Sequence, residues 1–78
     1  MNVPTLPLGT YRHYKQKDYE VVGVVIHSET REYLVLYKPL YDCPELPDGQ
    51  LFVRPYDMFT EEVEVDGQMV PRFAYQGD

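Results

Sequence analysis

Apolar residues in this chain recur mostly at every second position, in short runs divided by turn-forming residues, which is the period of β-strands. Gly9 to Lys15 alternates, with Tyr11 and His13 on one face and Arg12 and Tyr14 on the other. Gln16-Lys17-Asp18 reads as a polar turn, and Tyr19 to Ser28 as the longest strand and the centre of the fold. Strict alternation gives that strand one face of Tyr19, Val21, Gly23, Val25 and His27, and another of Glu20, Val22, Val24, Ile26 and Ser28. Both faces are mostly apolar, which suits a strand covered on both sides or coiling through a small barrel, and Gly23 fits a bend.

Glu29-Thr30-Arg31 then connects to a strand from Tyr33 to Pro39, so the two strands form a hairpin. Tyr33, Val35 and Tyr37 share one of its faces, and Pro39 ends it because proline lacks a ladder donor. Residues 41–49, with Pro44, Pro47 and Asp48-Gly49, are the longest irregular stretch and are expected to form a mobile loop. Gln50 to Arg54 is a short strand. Pro55 suits the first position of one helical turn, with Met58 and Phe59 plugging an end of the core. Glu61 to Val65 and Gln68 to Phe73 flank Asp66-Gly67, the strongest hairpin signal in the chain. Residues 1–8, with Pro4 and Pro7, read as a loose arm, and residues 76–78 are expected to fray. The pattern predicts one mostly-β domain over 1–78, a small SH3-like barrel or partly open roll of about five strands with one short helical turn.

Size sharpens the packing problem. A domain of 78 residues buries only ~60% of its unfolded surface. Eight tyrosines and three phenylalanines can supply dense packing, provided each buried hydroxyl finds a partner. Tyr19 is expected in the core, and Tyr11, Tyr33 and Tyr37 at its margin. The single Cys43 allows no internal disulfide, and with no signal-peptide pattern the expected compartment is the cytoplasm. The longest apolar run, Val21 to Ile26, is too short for a membrane span.

Net charge is −6 and unevenly spread: five basic residues meet four acidic ones in 1–40, but two meet nine in 41–78. So acidic a chain disfavours general binding to a phosphate backbone, although Arg12, Lys15 and Lys17 form a local basic patch.

Several groups fall outside what packing requires: Tyr11, His13 and Tyr14; His27-Ser28-Glu29-Thr30; Arg54-Pro55; and Pro71-Arg72-Phe73. Together with Gly9-Thr10-Tyr11-Arg12-His13-Tyr14-Lys15, Tyr19-Glu20-Val21, Leu36-Tyr37, Leu40-Tyr41, Val53-Arg54-Pro55, Met58-Phe59 and Val65-Asp66-Gly67, they resemble the small bacterial family of the domain of unknown function 1653. The resemblance runs from Gly9 to Phe73. It implies a compact, mostly-β bacterial domain and lends no catalytic role to any position.

The chemistry of each group narrows the options. His13 and His27 lack metal-ligand spacing, so no metal site and no cofactor are expected. His27 and Glu29 share a strand face, which allows a base with an orienting carboxylate, whereas Ser28 and Thr30 read as turn chemistry. Arg54 and Arg72 each adjoin a proline and offer planar forks for a carboxylate or phosphate; the alternative is an internal ion pair. The favoured expectation is a non-enzymatic binding module whose pocket, lined by Tyr11, His13, His27, Glu29, Tyr37, Arg54 and Arg72, takes a small anionic or nucleotide-like ligand or an acidic peptide end. An alternative is a protein- or RNA-interaction module with an exposed aromatic surface, and a weaker one is a hydrolase with His27 as base. No membrane partner is expected. Exposed edge strands fit a monomer or a weak homodimer.

Overall fold

The computed structural model describes residues 4–47 and 49–77. Strand β1 (Gly9–His13) turns back into β2 (Asp18–Ile26), which pairs with β3 (Tyr33–Pro39), and β3 pairs with β4 (Phe52–Pro55). One helical turn, α1 (Tyr56–Phe59), leads to the ribbon β5 (Glu62–Val65) and β6 (Gln68–Pro71), and β7 (Phe73–Gly77) returns to β1. All pairings are antiparallel. The main sheet runs β4-β3-β2-β1-β7, and β5-β6 forms a separate two-stranded sheet.

The sequence pattern anticipated the mostly-β class, the central hairpin and the single helical turn. The strand number is higher than about five, with seven in two sheets. One predicted strand splits at Arg72 into β6 and β7, and β7 continues to Gly77, into the stretch expected to fray. Of the two predicted architectures the partly open roll is the one observed, because β4 and β7 share no ladder among the described residues. Expectations for residues 1–3, Asp48 and Asp78 lie outside the described residues.

A single sheet has no second layer to cover it, so it must curl around something. Here that object is α1. Phe59 is 1% exposed and stacks on Phe73 of β7, with ring centroids 4.1 Å apart and planes 5° from parallel. Tyr11 of β1 and Tyr37 of β3 meet Phe59 edge-on at 5.5 and 5.4 Å. Val21 and Val35 complete the buried cluster, and Leu6, Tyr19, Phe52 and Tyr56 pack around it. Aromatic pairs of this kind add about 0.5–1.5 kcal/mol each beyond their area. Met58, also expected to plug the core, instead stands 48% exposed. A four-residue turn can aim only one of two adjacent side chains inward.

Two further expectations are corrected by the same packing. Tyr11 and Tyr37, predicted at the margin, are 4% and 5% exposed. Their hydroxyls are satisfied where they lie: Tyr11 donates to the Pro7 carbonyl at 2.6 Å, and Tyr37 accepts from Arg54 Nε at 3.3 Å. Tyr56 and Tyr75 donate to the carbonyls of Thr5 and Leu8. Three tyrosine hydroxyls thus hold residues 5–8 against the roll.

The faces of β2 also depart from strict alternation. The β2–β3 register shifts between Val21 and Gly23, so Val22 is an extra, bulged residue. Beyond it Val24, rather than Gly23 or Val25, pairs with fully buried Val35 and faces the core. Val22, Val25 and Val53 lie on the outer side and are exposed. Asp66 and Gly67 both adopt positive φ, 53° and 81°, as a two-residue hairpin turn requires.

Phe59→Ala is expected to cost about 3–5 kcal/mol and to leave the domain largely unfolded, whereas Met58→Ala should change stability by less than about 1 kcal/mol. Urea denaturation followed by circular dichroism measures both, and equal losses would contradict the plug.

Candidate functional site

The polar residues gather at one end of the roll, where the β1–β2 turn, the β3–β4 loop and the kink at Arg72 meet. In the first turn the backbone N–H of His13 donates to Lys17 O at 2.7 Å and that of Gln16 to His13 O at 2.7 Å, closing a tight loop over residues 14–17. The Lys15 N–H donates to His13 Nδ1 at 3.1 Å, a bond that needs this nitrogen unprotonated. The imidazole lies 4.5 Å from the Tyr14 ring and edge-on to Phe73 at 4.9 Å, centroid to centroid. Burial first, then the charges of Arg54, Arg72 and Lys15, push the His13 pKa below its ordinary value.

Arg54 arrives from the opposite edge of the sheet. It pairs with Val35, so it shares the concave face, and its guanidinium lies 5.5 Å over the ring of Phe73. Edge strand β4 thus touches edge strand β7 through a cation–π contact rather than a ladder. Arg54 Nε is bound to the Tyr37 hydroxyl, and no carboxylate among the described residues pairs with this guanidinium.

Arg72 sits at the kink between β6 and β7. Its backbone N–H donates to Glu61 O at 3.0 Å, and its carbonyl accepts from Tyr14 N–H at 2.9 Å. Its guanidinium donates to the Glu61 carboxylate through Nη2 at 2.6 Å and Nε at 3.0 Å, while lying 5.9 Å over Tyr14. Arg72 therefore realises the internal ion pair considered for either arginine, and Arg54 does not. Lys17 caps the other side of the rim, 4.9 Å over the Tyr41 ring. Tyr41 and Tyr19 share a hydroxyl–hydroxyl bond of 2.7 Å, which together with burial raises the Tyr41 pKa. Of the predicted basic patch, Arg12 is held by Asp18 at 2.9 Å, leaving Lys15 and Lys17.

Among the sequence candidates, His13, Arg54 and Arg72 come together. Tyr37 lies beneath them as a buried support, and Tyr11 belongs to the core around Phe59. His27 and Glu29 sit beyond the far end of β2, about 25 Å along the strand from the rim. The bulge at Val22 undoes the parity that placed His27 on the Tyr19 face. His27 Nδ1 accepts the backbone N–H groups of Glu29 and Thr30, both at 3.2 Å, so its ring caps the turn without an orienting carboxylate. Thr30 follows the turn reading, accepting the Glu32 N–H at 3.3 Å. The rim residues that sequence reasoning missed as site members are Tyr14, Tyr19, Tyr41, Lys17 and Glu61. Tyr41 carried no local signal, because a proline-rich loop shows no period and its partner is 22 positions away.

Neither Arg54 nor Arg72 lines the concavities at the β2–β3 turn, the β5–β6 ribbon, the β3–β4 loop or the β1–β2 edge. His27 caps the turn at the other end of β2 and does not join the two arginines. No group of three or more His, Cys, Asp or Glu side chains capable of holding a metal occurs among the described residues.

Fold and rim define a small, mostly-β, partly open roll with cations laid on aromatic faces at one end. The chain belongs to the family described as protein of unknown function DUF1653, which it matches over residues 9–75. A similar solved structure is the crystal structure of a DUF1653 protein from Bordetella bronchiseptica, 36% identical, covering 92% of this chain and 88% of that one with a TM-score of 0.82. No curated protein matches the chain.

His13 links this geometry to pH. Its folded-state pKa is lowered below 6.5, so the unfolded chain takes up the proton first on acidification. Its contribution to stability is complete above that value and lost as pH falls through the folded pKa. A titration of the His13 Hε1 resonance is expected to give a midpoint below 6.5 that rises in Arg54→Met. A midpoint unchanged by that substitution would mean that Arg54 does not bear on the imidazole.

Proposed function

We propose that this protein is a non-enzymatic binding module whose basic–aromatic rim takes a small anion of the carboxylate or phosphate type, including a nucleotide or an acidic peptide end. The observation that carries the reading is Arg54, a guanidinium with no carboxylate partner among the described residues, fixed by Tyr37 and Phe73 in a chain of net charge −6. In such a chain an unpaired arginine would ordinarily find one of the surplus carboxylates. Its Nε is already committed, so its Nη groups are the donors left for a ligand oxygen.

Arg72, Lys15 and Lys17 bring further positive charge to its neighbourhood. The neutral imidazole of His13 offers Nε2 as another donor. Arg72 contributes mainly through its field, since Glu61 occupies part of its fork. Tyr14 and Tyr41 supply flat rings beside the charges, which suits a ligand with a planar body. Among the described residues no pair of nucleophile and oriented base accompanies these donors, which favours binding over chemistry. The second expectation, an RNA-interaction surface, meets the acidic remainder of the chain and takes second place.

Titration with inorganic phosphate, AMP and an acidic hexapeptide, followed by NMR of the arginine Nε and histidine ring resonances, tests the proposal. Binding is expected to shift Arg54 Nε and to raise the His13 midpoint, because an anion offsets the charges that depress it. Arg54→Met should weaken binding about tenfold or more, in keeping with the loss of a charge-assisted hydrogen bond. Silence from all three ligands at millimolar concentration, with shifts on a single-stranded RNA oligomer instead, would transfer the rim to the second reading.

A further inference from the structure

The end of the roll at the β2–β3 turn carries a second candidate site. There the β2–β3 turn, the start of α1 and the arm at Pro4 enclose a concavity of about 340 Å³, walled by Tyr33, Tyr56, Pro4 and Pro55 and flanked by Glu32 and Asp57. That volume lies within the range of small-ligand sites, about 300–1,000 Å³.

We infer that this concavity binds the cationic side chain, a guanidinium or alkylammonium group, of a basic peptide segment. Three observations converge on that occupant. Among the described residues every lining side chain is aromatic, a proline or an acid, and none is basic. Neither carboxylate forms an ion pair within the described residues, and both side chains are exposed. Two tyrosine rings and two proline faces accept the apolar stem of a lysine or arginine, and ring faces attract the charged head.

The walls are also set before any ligand arrives. The Tyr56 hydroxyl donates to the Thr5 carbonyl at 3.0 Å, fixing that ring against the arm beside Pro4. Glu32 is positioned by the turn: its N–H donates to Thr30 Oγ1 at 3.3 Å, its carbonyl accepts from His27 N–H at 2.9 Å, and its carboxylate accepts from the Thr30 hydroxyl at 3.4 Å. A preformed site loses less ordering entropy on binding. The turn chemistry of His27 and Thr30, unrelated to the anion rim, thereby gains a use: it holds one acid at the mouth of the concavity.

An amide NMR titration with acetyl-Gly-Arg-Pro-Gly-amide, beside the peptide with glutamine in place of arginine, tests the inference. Saturable shifts are expected at Glu32, Tyr33, Tyr56 and Asp57 with the arginine peptide and much smaller ones with the neutral peptide. Glu32→Gln combined with Asp57→Asn should weaken binding about five- to tenfold, the loss of two exposed ion pairs. Should the double variant lose its native amide spectrum, Glu32→Gln alone, at an exposed turn position, carries the test with a loss of about two- to threefold. Equal binding of the two peptides, no saturable shift, or undiminished affinity in a folded variant would each overturn the assignment.

Discussion

The stack of Phe59 on Phe73 is the contact on which the rest of the molecule depends. A sheet five strands wide with nothing laid across it would leave a large apolar face in water. A separate covering layer needs more chain than a domain of this size has. One helical turn solves the problem by inserting a single ring where the sheet curls, and every buried aromatic of the concave face meets Phe59, Phe73 or both. The same ring of Phe73 then serves as floor for His13 and Arg54. Core and rim are therefore one aromatic cluster, dry at Phe59 and polar at its edge.

This continuity explains how an acidic chain keeps a positive surface. An arginine over a ring gains from the quadrupole without a carboxylate, and the ring screens it from the surplus acids. Lys17 on Tyr41, Arg72 on Tyr14 and Arg54 on Phe73 all follow that arrangement. Only Arg72 adds a carboxylate, and it has a mechanical duty at the β6–β7 kink, where main chain and side chain both grip Glu61.

What the amino-acid pattern revealed and what it hid follow from the range of the interactions. The alternation, the Asp66-Gly67 turn and the proline before α1 are local, so the strands, the ribbon and the helical turn were legible. His13, Arg54 and Arg72 stood out because packing alone did not account for them. The bulge at Val22 was not legible: two adjacent valines look alike on either face, and only pairing with β3 reveals which one is extra. That single residue moves Val24 to the core and breaks the expected continuity between Tyr19 and His27. Tyr11 and Tyr37 were misjudged because their hydroxyls argue for a wet edge, and their actual partners, the Pro7 carbonyl and Arg54, become visible only when the sheet curls. Met58 against Phe59 was a choice between neighbours that hydrophobicity cannot rank.

The lysines of the first turn and the glutamates of the second lie at opposite ends of the roll, and the topology accounts for it. β2 and β3 each run the length of the sheet, so the turn joining them lies at one end while the β1–β2 turn and the β3–β4 loop lie at the other. Lys15 and Lys17 occupy the first turn, Glu29, Arg31 and Glu32 the second, and strand length separates the groups by well over a Debye length at physiological salt, about 8 Å. Fields from opposite charges at that distance do not cancel at either surface. Arg54 and Arg72 come to the rim from the acidic half of the sequence, so the placement of charge follows the pairing of strands and not the order of residues.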